Sequence, residues 1–294
     1  MITAQLATWR TELFLTVRAT ASSALERELS RLLGSEVARL DRLASRFRPD
    51  SELSAVNAAA GAWVEVSWDF VAVLDGCLRA ADYTDGLVDP TLGRAVVAAG
   101  YDEWAGETPL IEPAAQTGRW QEVGIRPGRR EAQVLIPADS ALDLGSIAKS
   151  WLADRLARAV AASGYEVCAN MGGDLRVIAD EPWTVWTDPE LPGEDPASVT
   201  ITDGGVATSG IGRRRWTGGH HLIDPRTGTP AATRWHSVSV VAATATDANA
   251  AATAAVILGD DGPAWLADTG LDGRFVAPDR VACVGRWTHE EDVA

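Results

Sequence analysis

Glu12 and Arg18 flank the short, mostly apolar run Leu-Phe-Leu-Thr-Val, which suits a first strand. Beyond it Leu25, Leu29, Leu32, Leu33, Val37, Leu40 and Leu43 return at steps of three and four. That spacing predicts a long helix capped by Ser22 or Ser23 and closed before Pro49. Asp50-Ser51-Glu52-Leu53 restarts a short helix with Asn57 near its end. Ser67 opens another through Phe70, Val71, Leu74, Leu78 and Ala81, which stops at Asp85-Gly86. Residues 105–132, rich in Gly, Pro and Glu, read as loops with short strands, and 133–136 as a strand. An apolar helix follows over 147–162, then a strand over 166–170, a Gly172-Gly173 turn and a strand over 175–178. The stretch 182–196 reads as a loop around a short strand at 183–186. Further strands are expected at 199–202, 237–242 and 280–284, and helices at 249–258 and 263–268. Strands alternating with helices, with several strands adjacent, predict one mixed α/β (α+β) domain over 1–294, its sheets packed against helices.

Composition narrows the class. An apolar share of 46% and a charged share of 23% suit a globular chain with a sizeable core. A formal net charge of −15 argues against nucleic acid or an anionic membrane as partner, since both call for a basic face. It leaves room for an anionic small ligand, because a local metal ion inverts the field. Cys77, Cys168 and Cys283 are odd in number and far apart, which predicts reduced, mostly buried thiols and no zinc site. The first twenty residues lack the layout of an export signal, and no apolar run reaches a membrane span. A cytoplasmic protein is the expectation.

Within this acidic chain Lys149 is the only lysine; every other basic side chain is arginine. It stands in Asp143-Leu-Gly-Ser-Ile-Ala-Lys149, in the first turn of a predicted helix. A cation there is unfavourable unless an anion shares the site, and helix N-termini themselves attract phosphate. Codon chance is the plain alternative; the Asp-Gly context favours an anion site.

Five other segments have residue types suited to chemistry, each with an ordinary structural reading beside it. Asp85-Gly-Leu-Val-Asp-Pro-Thr91 also suits a turn followed by a helix with Asp89 as cap. In Asn170-Met-Gly-Gly-Asp174 the paired glycines admit close backbone approach to a ligand, or simply a hairpin turn. Ala207-Thr-Ser-Gly210 precedes Arg213–Arg215, a phosphate clamp or a solvated face. His220-His-Leu-Ile-Asp-Pro-Arg-Thr-Gly228 holds two of four histidines, suited to proton transfer or to a turn with surface histidines. Asn249 and Thr253 lie four apart on one helix face, oxygen donors for a hard cation or part of an alanine-rich packing helix.

In this order and spacing, together with Arg48-Pro-Asp-Ser-Glu-Leu-Ser54, the segments resemble the ApbE family of flavin transferases from about Leu40 to Gly270. The resemblance implies Mg²⁺-dependent transfer of FMN from FAD to a Ser/Thr hydroxyl of a target flavoprotein, with release of AMP. FAD is then the substrate and Mg²⁺ the cofactor. Carried residue by residue, Phe47 stands at an aromatic flavin contact, and Leu87, Val88 and Asp89 at a nucleotide-contacting stretch. Asp143 and Lys149 match FAD-binding positions, joined by Asn170, Gly172 and Gly173. Ser146 and Thr253 match metal-coordinating positions. His221 stands at the catalytic base, Ile223 beside the flavin and Asp224 where the loop is supported.

Three departures qualify the match. Asn249 replaces the family's metal-binding aspartate, with Asp247 nearby as a compensating carboxylate. Ile211-Gly212 follow the Thr-Ser-Gly segment where an acidic or polar residue and an aromatic one are expected. Trp9-Arg-Thr11 stands roughly where the family has Met-Gly-Thr. Two alternatives to transfer remain: FAD pyrophosphatase activity giving FMN and AMP, and a flavin-binding protein without turnover.

Overall fold

The computed structural model describes residues 1–100, 118–187, 189, 191–192, 194–216 and 219–287. In chain order the first elements are β1 (Ile2–Thr8), β2 (Thr11–Val17), α1 (Ser23–Ala44), α2 (Glu52–Ala58), β3 (Val64–Val66), α3 (Trp68–Tyr83) and α4 (Gly93–Ala98). There follow β4 (Gly124–Pro127), β5 (Ala132–Leu135), α5 (Ala148–Ala161), β6 (Val167–Met171), β7 (Leu175–Thr187) and β8 (Ala197–Gly210). Short strands β9 (Arg215–Trp216), β10 (Gly219–His220), β11 (Ile223–Asp224) and β12 (Thr229–Pro230) come next. The chain ends with β13 (Ser237–Ala242), α6 (Ala245–Leu258), α7 (Gly262–Thr269), β14 (Asp272–Ala277) and β15 (Arg280–Val284). The mixed α/β class expected from the pattern is what is observed. Two compact units emerge: Met1–Ala38 with Lys149–Gly210 and Thr233–Ala294, and Arg39–Ala148 with Ile211–Ala232.

The first unit is built on an eight-stranded sheet in the order β1-β2-β6-β7-β8-β13-β14-β15. Every neighbouring pair is antiparallel. Leu13, Leu15 and Val17 alternate into the core from β2, as do Val167, Ala169 and Met171 from β6. Their register, Leu13 opposite Met171 and Leu15 opposite Ala169, stacks the apolar residues on one face. Trp9 and Arg10 join β1 to β2 with φ of 50° and 58°, the left-handed pair that a two-residue hairpin turn requires. Trp9-Arg10 is therefore a turn, and only Thr11 belongs to a strand.

β7 unites the two short strands expected at 175–178 and 183–186. Its register against β8 breaks between Ile178 and Trp183, where Pro182 sits. A proline cannot donate to the ladder, so an irregularity at that point is its natural place. β8 likewise runs well beyond 199–202. α6 packs on β8 and β13 and is buried on almost every side, as its run of alanines allows. Gly205 makes room for it: a Cβ there would lie 2.2 Å from Ala245 N. The helix start is closed by Thr244, whose Oγ1 accepts from Asp247 N and donates to Asp247 Oδ2, 3.0 and 2.7 Å away. Buried Asp154 accepts from Ala245 N and Thr246 N at 2.9 and 3.0 Å.

The second unit gathers α2, α3, α4, the three-stranded sheet β3-β5-β4 and the hairpins β9–β12. Ser51 and Ser67 cap α2 and α3 by accepting from Ser54 N and Phe70 N. α3 ends in a Schellman arrangement: Gly86 N donates to Ala81 O (2.7 Å) and Asp85 N to Asp82 O (3.3 Å), with both residues at positive φ. The core holds Leu53, Val56, Phe70, Leu74, Val134, Ile136, Leu142 and Leu144. Of the cysteines, Cys77 and Cys168 are buried, and burial pushes Cys77 far up and Cys168 to about 12. Cys283 is exposed, so two of the three thiols are buried, as expected for most of them. Positions 105–117 of the Gly- and Pro-rich stretch lie outside the described residues.

Candidate active site

The Schellman end of α3 delivers the chain into Leu87-Val88-Asp89. Thr84 Oγ1 donates to Ala80 O at 2.7 Å and accepts from Val88 N at 3.0 Å, tying the stretch to the last helical turn. Asp89 is not a helix cap; α4 begins only at Gly93. Its Oδ1 accepts from Thr91 N and Thr91 Oγ1, both at 2.6 Å, closing a local turn. Burial raises the Asp89 carboxyl above the ordinary range, and the Thr91 hydrogen bonds only partly oppose it. Pro90 O accepts from Asp143 N at 2.8 Å, so this stretch and the Asp143 loop are held together.

Asp143 is fixed from both sides. Its Oδ1 accepts from Gly145 N at 2.7 Å, and its Oδ2 lies 3.1 Å from Arg46 Nε. Asn57 braces the preceding residue, accepting from Leu142 N at 2.7 Å and donating to Leu142 O at 2.9 Å. The Arg46 guanidinium lies 4.2 Å from the ring centre of Phe47, whose side chain is partly exposed. Ser146 is exposed.

The two adjacent histidines differ. His220 is buried, with Nε2 3.1 Å from Ala231 O, and burial lowers its pKa, helped by the charge of Arg215. It is not the surface histidine of the plain turn reading. His221 is half-buried and its N–H donates to Arg214 O at 3.3 Å. Ile223 packs with Leu92, Ala95 and Val96. Asp224 accepts from Arg226 N and Nε at Oδ1 (both 2.9 Å) and from Arg226 Nη2 at Oδ2 (2.8 Å). Its carbonyl also accepts from Thr227 N and Gly228 N at 3.1 and 2.8 Å, so both ends of Asp224 shape the turn. Burial pushes the Asp224 carboxyl up, but Arg226 outweighs it and holds the group below its usual range.

In the first unit Lys149 occupies the second position of α5, its side chain only 20% exposed. Lys149 Nζ lies 3.8 Å from Asp174 Oδ2. Asp174 Oδ1 in turn accepts from Asn249 Nδ2 at 2.9 Å. Asp174 follows the Gly172-Gly173 turn, where φ is 77° and 103°. Asn170 Oδ1 accepts from Gly173 N at 2.9 Å, and a Cβ on Gly173 would meet nothing within 4 Å, so backbone there is open to approach. Four residues along α6, Thr253 Oγ1 lies 2.7 Å from Ser209 Oγ. Asn249 Oδ1 is buried and meets no hydrogen-bond partner among the described residues.

Thus Lys149 and Asn249 converge on one carboxylate, Thr253 meets Ser209, and Asn170 braces the glycine turn. In the other unit Phe47, Asp143 and the 87–89 stretch are linked through Arg46 and Pro90. Asp247 does not stand in for the missing aspartate, because it is exposed and engaged in capping α6. The carboxylate beside Asn249 is Asp174, which closes the Asn170–Asp174 segment but is not among the residues that the resemblance singles out. Its signal was present, an acidic residue directly after a glycine pair. Ser209, Arg46 and Thr91 were passed over too, since their partners become evident only in three dimensions or through local turns.

Comparison with known proteins gives these residues a context. The sequence model described as the ApbE family matches residues 9–275. A protein of Treponema pallidum named FAD:protein FMN transferase is 34% identical over 265 residues, covering 80% of this chain and 73% of its own. One of the same name from Haemophilus influenzae is 28% identical over 242 residues, covering 74% and 68%. Among solved structures, the ApbE protein of Thermotoga maritima superposes with a TM-score of 0.84 at 22% identity, covering 96% of both chains. The apo flavinyl transferase ApbE of Pseudomonas stutzeri gives 0.82 at 20% identity, covering 96% and 94%. With nearly its whole length matched, the chain belongs to the ApbE family.

Proposed function

We propose that this chain is an FAD:protein FMN transferase, moving FMN from FAD to a serine or threonine hydroxyl of a target flavoprotein and releasing AMP. Membership of the family and the names of its relatives support the reaction class. The observation in the molecule that carries it is Lys149, the only lysine, set at the start of α5 and held 3.8 Å from the buried Asp174. A compact ammonium there suits a diphosphate better than a solvated surface.

In this reading Lys149 neutralises phosphate charge, while Asp143, Asn170 and the Gly172-Gly173 backbone hold the dinucleotide. Phe47 and Ile223 face the flavin, and Leu87, Val88 and Asp89 the nucleotide. His221 takes the proton of the acceptor hydroxyl as its oxygen bonds to the FMN-side phosphorus. The bond from that phosphorus to the bridging oxygen breaks, and AMP leaves with that oxygen. Asp224, locked by Arg226, keeps the loop behind His221 in shape.

The chain's oxygen donors fit a hard cation: Asn249 Oδ1 is a buried oxygen without a hydrogen-bond partner among the described residues, on the same helix face as Thr253. Asn249, Thr253 and Ser146 are the residues assigned to Mg²⁺. When bound, the ion supplies charge neutralisation at the phosphates. Among the described residues no helix is long and apolar enough to cross a membrane.

The test is incubation of the purified chain with FAD, Mg²⁺ and a flavoprotein fragment of proven acceptor ability. A covalent FMN mass increase on the acceptor is expected. Its absence, on an acceptor that a relative modifies in parallel, ends this reading.

A further inference from the structure

We infer that Asp174 supplies the negative charge that Asn249 lacks, so the carboxylate that serves the metal site of this chain sits on the β6–β7 turn and not on α6. The inference rests on the FMN-transferase reading for its choice of metal. Among the described residues no three His, Cys, Asp or Glu side chains form a metal-binding group. A divalent ion here has to rely on few charges, as Mg²⁺ does when one or two carboxylates join substrate phosphates. A neutral amide at position 249 leaves helix α6 with oxygen but no charge at that point. The Asp247 carboxylate cannot make good the loss, because it is exposed and bound to Thr244.

Asp174 is placed to do so. It is among the most buried acidic side chains, and its Oδ1 lies 2.9 Å from Asn249 Nδ2. A carboxylate can only accept, so the Asn249 amide must turn its nitrogen toward Asp174. That choice presents Oδ1 on the other side, and this is the buried oxygen that meets no hydrogen-bond partner among the described residues. One hydrogen bond therefore does two things: it seats a carboxylate beside α6, and it orients a neutral oxygen for a ligand. Thr253, one turn further along the same face, adds a hydroxyl. Lys149, 3.8 Å from Asp174 Oδ2, balances the charge from the opposite side. An amide and a carboxylate have nearly the same shape, so the pair Asn249–Asp174 and its exchange, Asp–Asn, place one negative charge in almost the same spot.

The exchange is the experiment. Mn²⁺ is titrated into the full chain saturated with FAD, without acceptor, and bound metal is read by electron paramagnetic resonance against an FAD-only titration. Asp174→Asn is expected to weaken binding by about ten- to a hundredfold. The double variant Asp174→Asn with Asn249→Asp is expected to return to within about threefold of the parent, by the same near-isosteric argument. Unchanged affinity in Asp174→Asn overturns the inference, as does a double variant no tighter than the single one. Should the single variant not fold, the double variant, which keeps net charge and shape, decides alone: parental affinity supports the inference and lost affinity overturns it. These outcomes are separate from the fate of the transferase reading, which is settled by the acceptor's mass with the parent chain.

Discussion

The two units solve the placement of polar side chains in opposite ways. In the second unit each carboxylate of the candidate site accepts from a residue two positions away: Asp89 from Thr91, Asp143 from Gly145 (with Arg46 on its other oxygen) and Asp224 from Arg226. In the first unit, apart from Asn170 with Gly173, the partners are far apart in sequence, 75 residues for Asn249 with Asp174 and 44 for Ser209 with Thr253. Local turns hold a group wherever the loop goes, which suits residues that handle the reacting end of a substrate. Partners drawn from β6–β7, β8 and α6 exist only once the sheet has formed, so they are rigid and costly to disturb. On the proposed function, the expected division puts proton transfer in the turns and the holding of phosphate and metal in the sheet.

Removing His221 is the sharpest way to test that division, with the largest expected effect. His221→Ala should cut FMN transfer by about 10²- to 10⁴-fold, the usual worth of a positioned base. FAD affinity, followed by flavin fluorescence, should stay within a few-fold. A loss of FAD binding equal to the loss of rate would make His221 an anchor and erase the contrast with the first unit.

The same contrast explains what could be read before the fold was known. The helix restart at Asp50-Ser51-Glu52-Leu53, the helix opening at Ser67, the stop at Asp85-Gly86 and the turn from Asp224 to Gly228 follow from neighbours in sequence, and each is where the pattern puts it. β13 has the bounds the pattern predicts and β15 lies where a strand is expected near 280–284, since flanking turns define both. β1 and β14 escaped notice because alanine and glycine dilute their alternation, and pairing with β2 and β13 decides their state. β7 and β8 were cut short by Pro182 and by Gly204-Gly205, punctuation that is tolerated here as a bulge and as space for α6. Ser209 has no local signal, because its partner Thr253 lies on another element. Asp174 follows a glycine pair, and only its partners Lys149 and Asn249 are beyond the reach of its own neighbourhood.

Within the second unit the carboxylates Asp89 and Asp224 provide a second, smaller test, because locality does not imply the same electrostatics. Burial raises Asp89, so folding favours its protonated form. As pH climbs through the ordinary aspartate value of about 3.9 toward the raised one, the unfolded chain loses its proton first and stability falls. Asp89→Asn should therefore be more stable than the parent at neutral pH, its amide oxygen still accepting from Thr91, and the gain should vanish in acid. Asp224 is lowered despite its burial, so its contribution is present above the ordinary value and is lost as pH drops through the lowered one. Asp224→Asn should be less stable at neutral pH, and its deficit should also vanish in acid. Urea unfolding of the three proteins across pH 3 to 7 reads both signs; two variants shifting in the same direction would contradict the assignment.

The smallest effect belongs to the first unit, and it asks whether long-range partners are truly coupled. Ser209 Oγ and Thr253 Oγ1, 2.7 Å apart and buried, link β8 to α6. Each hydroxyl should be worth roughly 1 kcal/mol net in such a bond. Thr253→Val leaves the Ser209 hydroxyl facing a methyl group, and Ser209→Ala leaves Thr253 unpaired, so each single change bears the desolvation of the survivor. The double variant removes both hydroxyls and should cost less than the sum, with a coupling of about 1 kcal/mol in denaturant titrations. Because no charge is involved, the coupling should not move between pH 3 and 7, unlike the two aspartate variants. Simple additivity would mean that the two hydroxyls meet without holding each other, and that α6 is kept on the sheet without help from this pair.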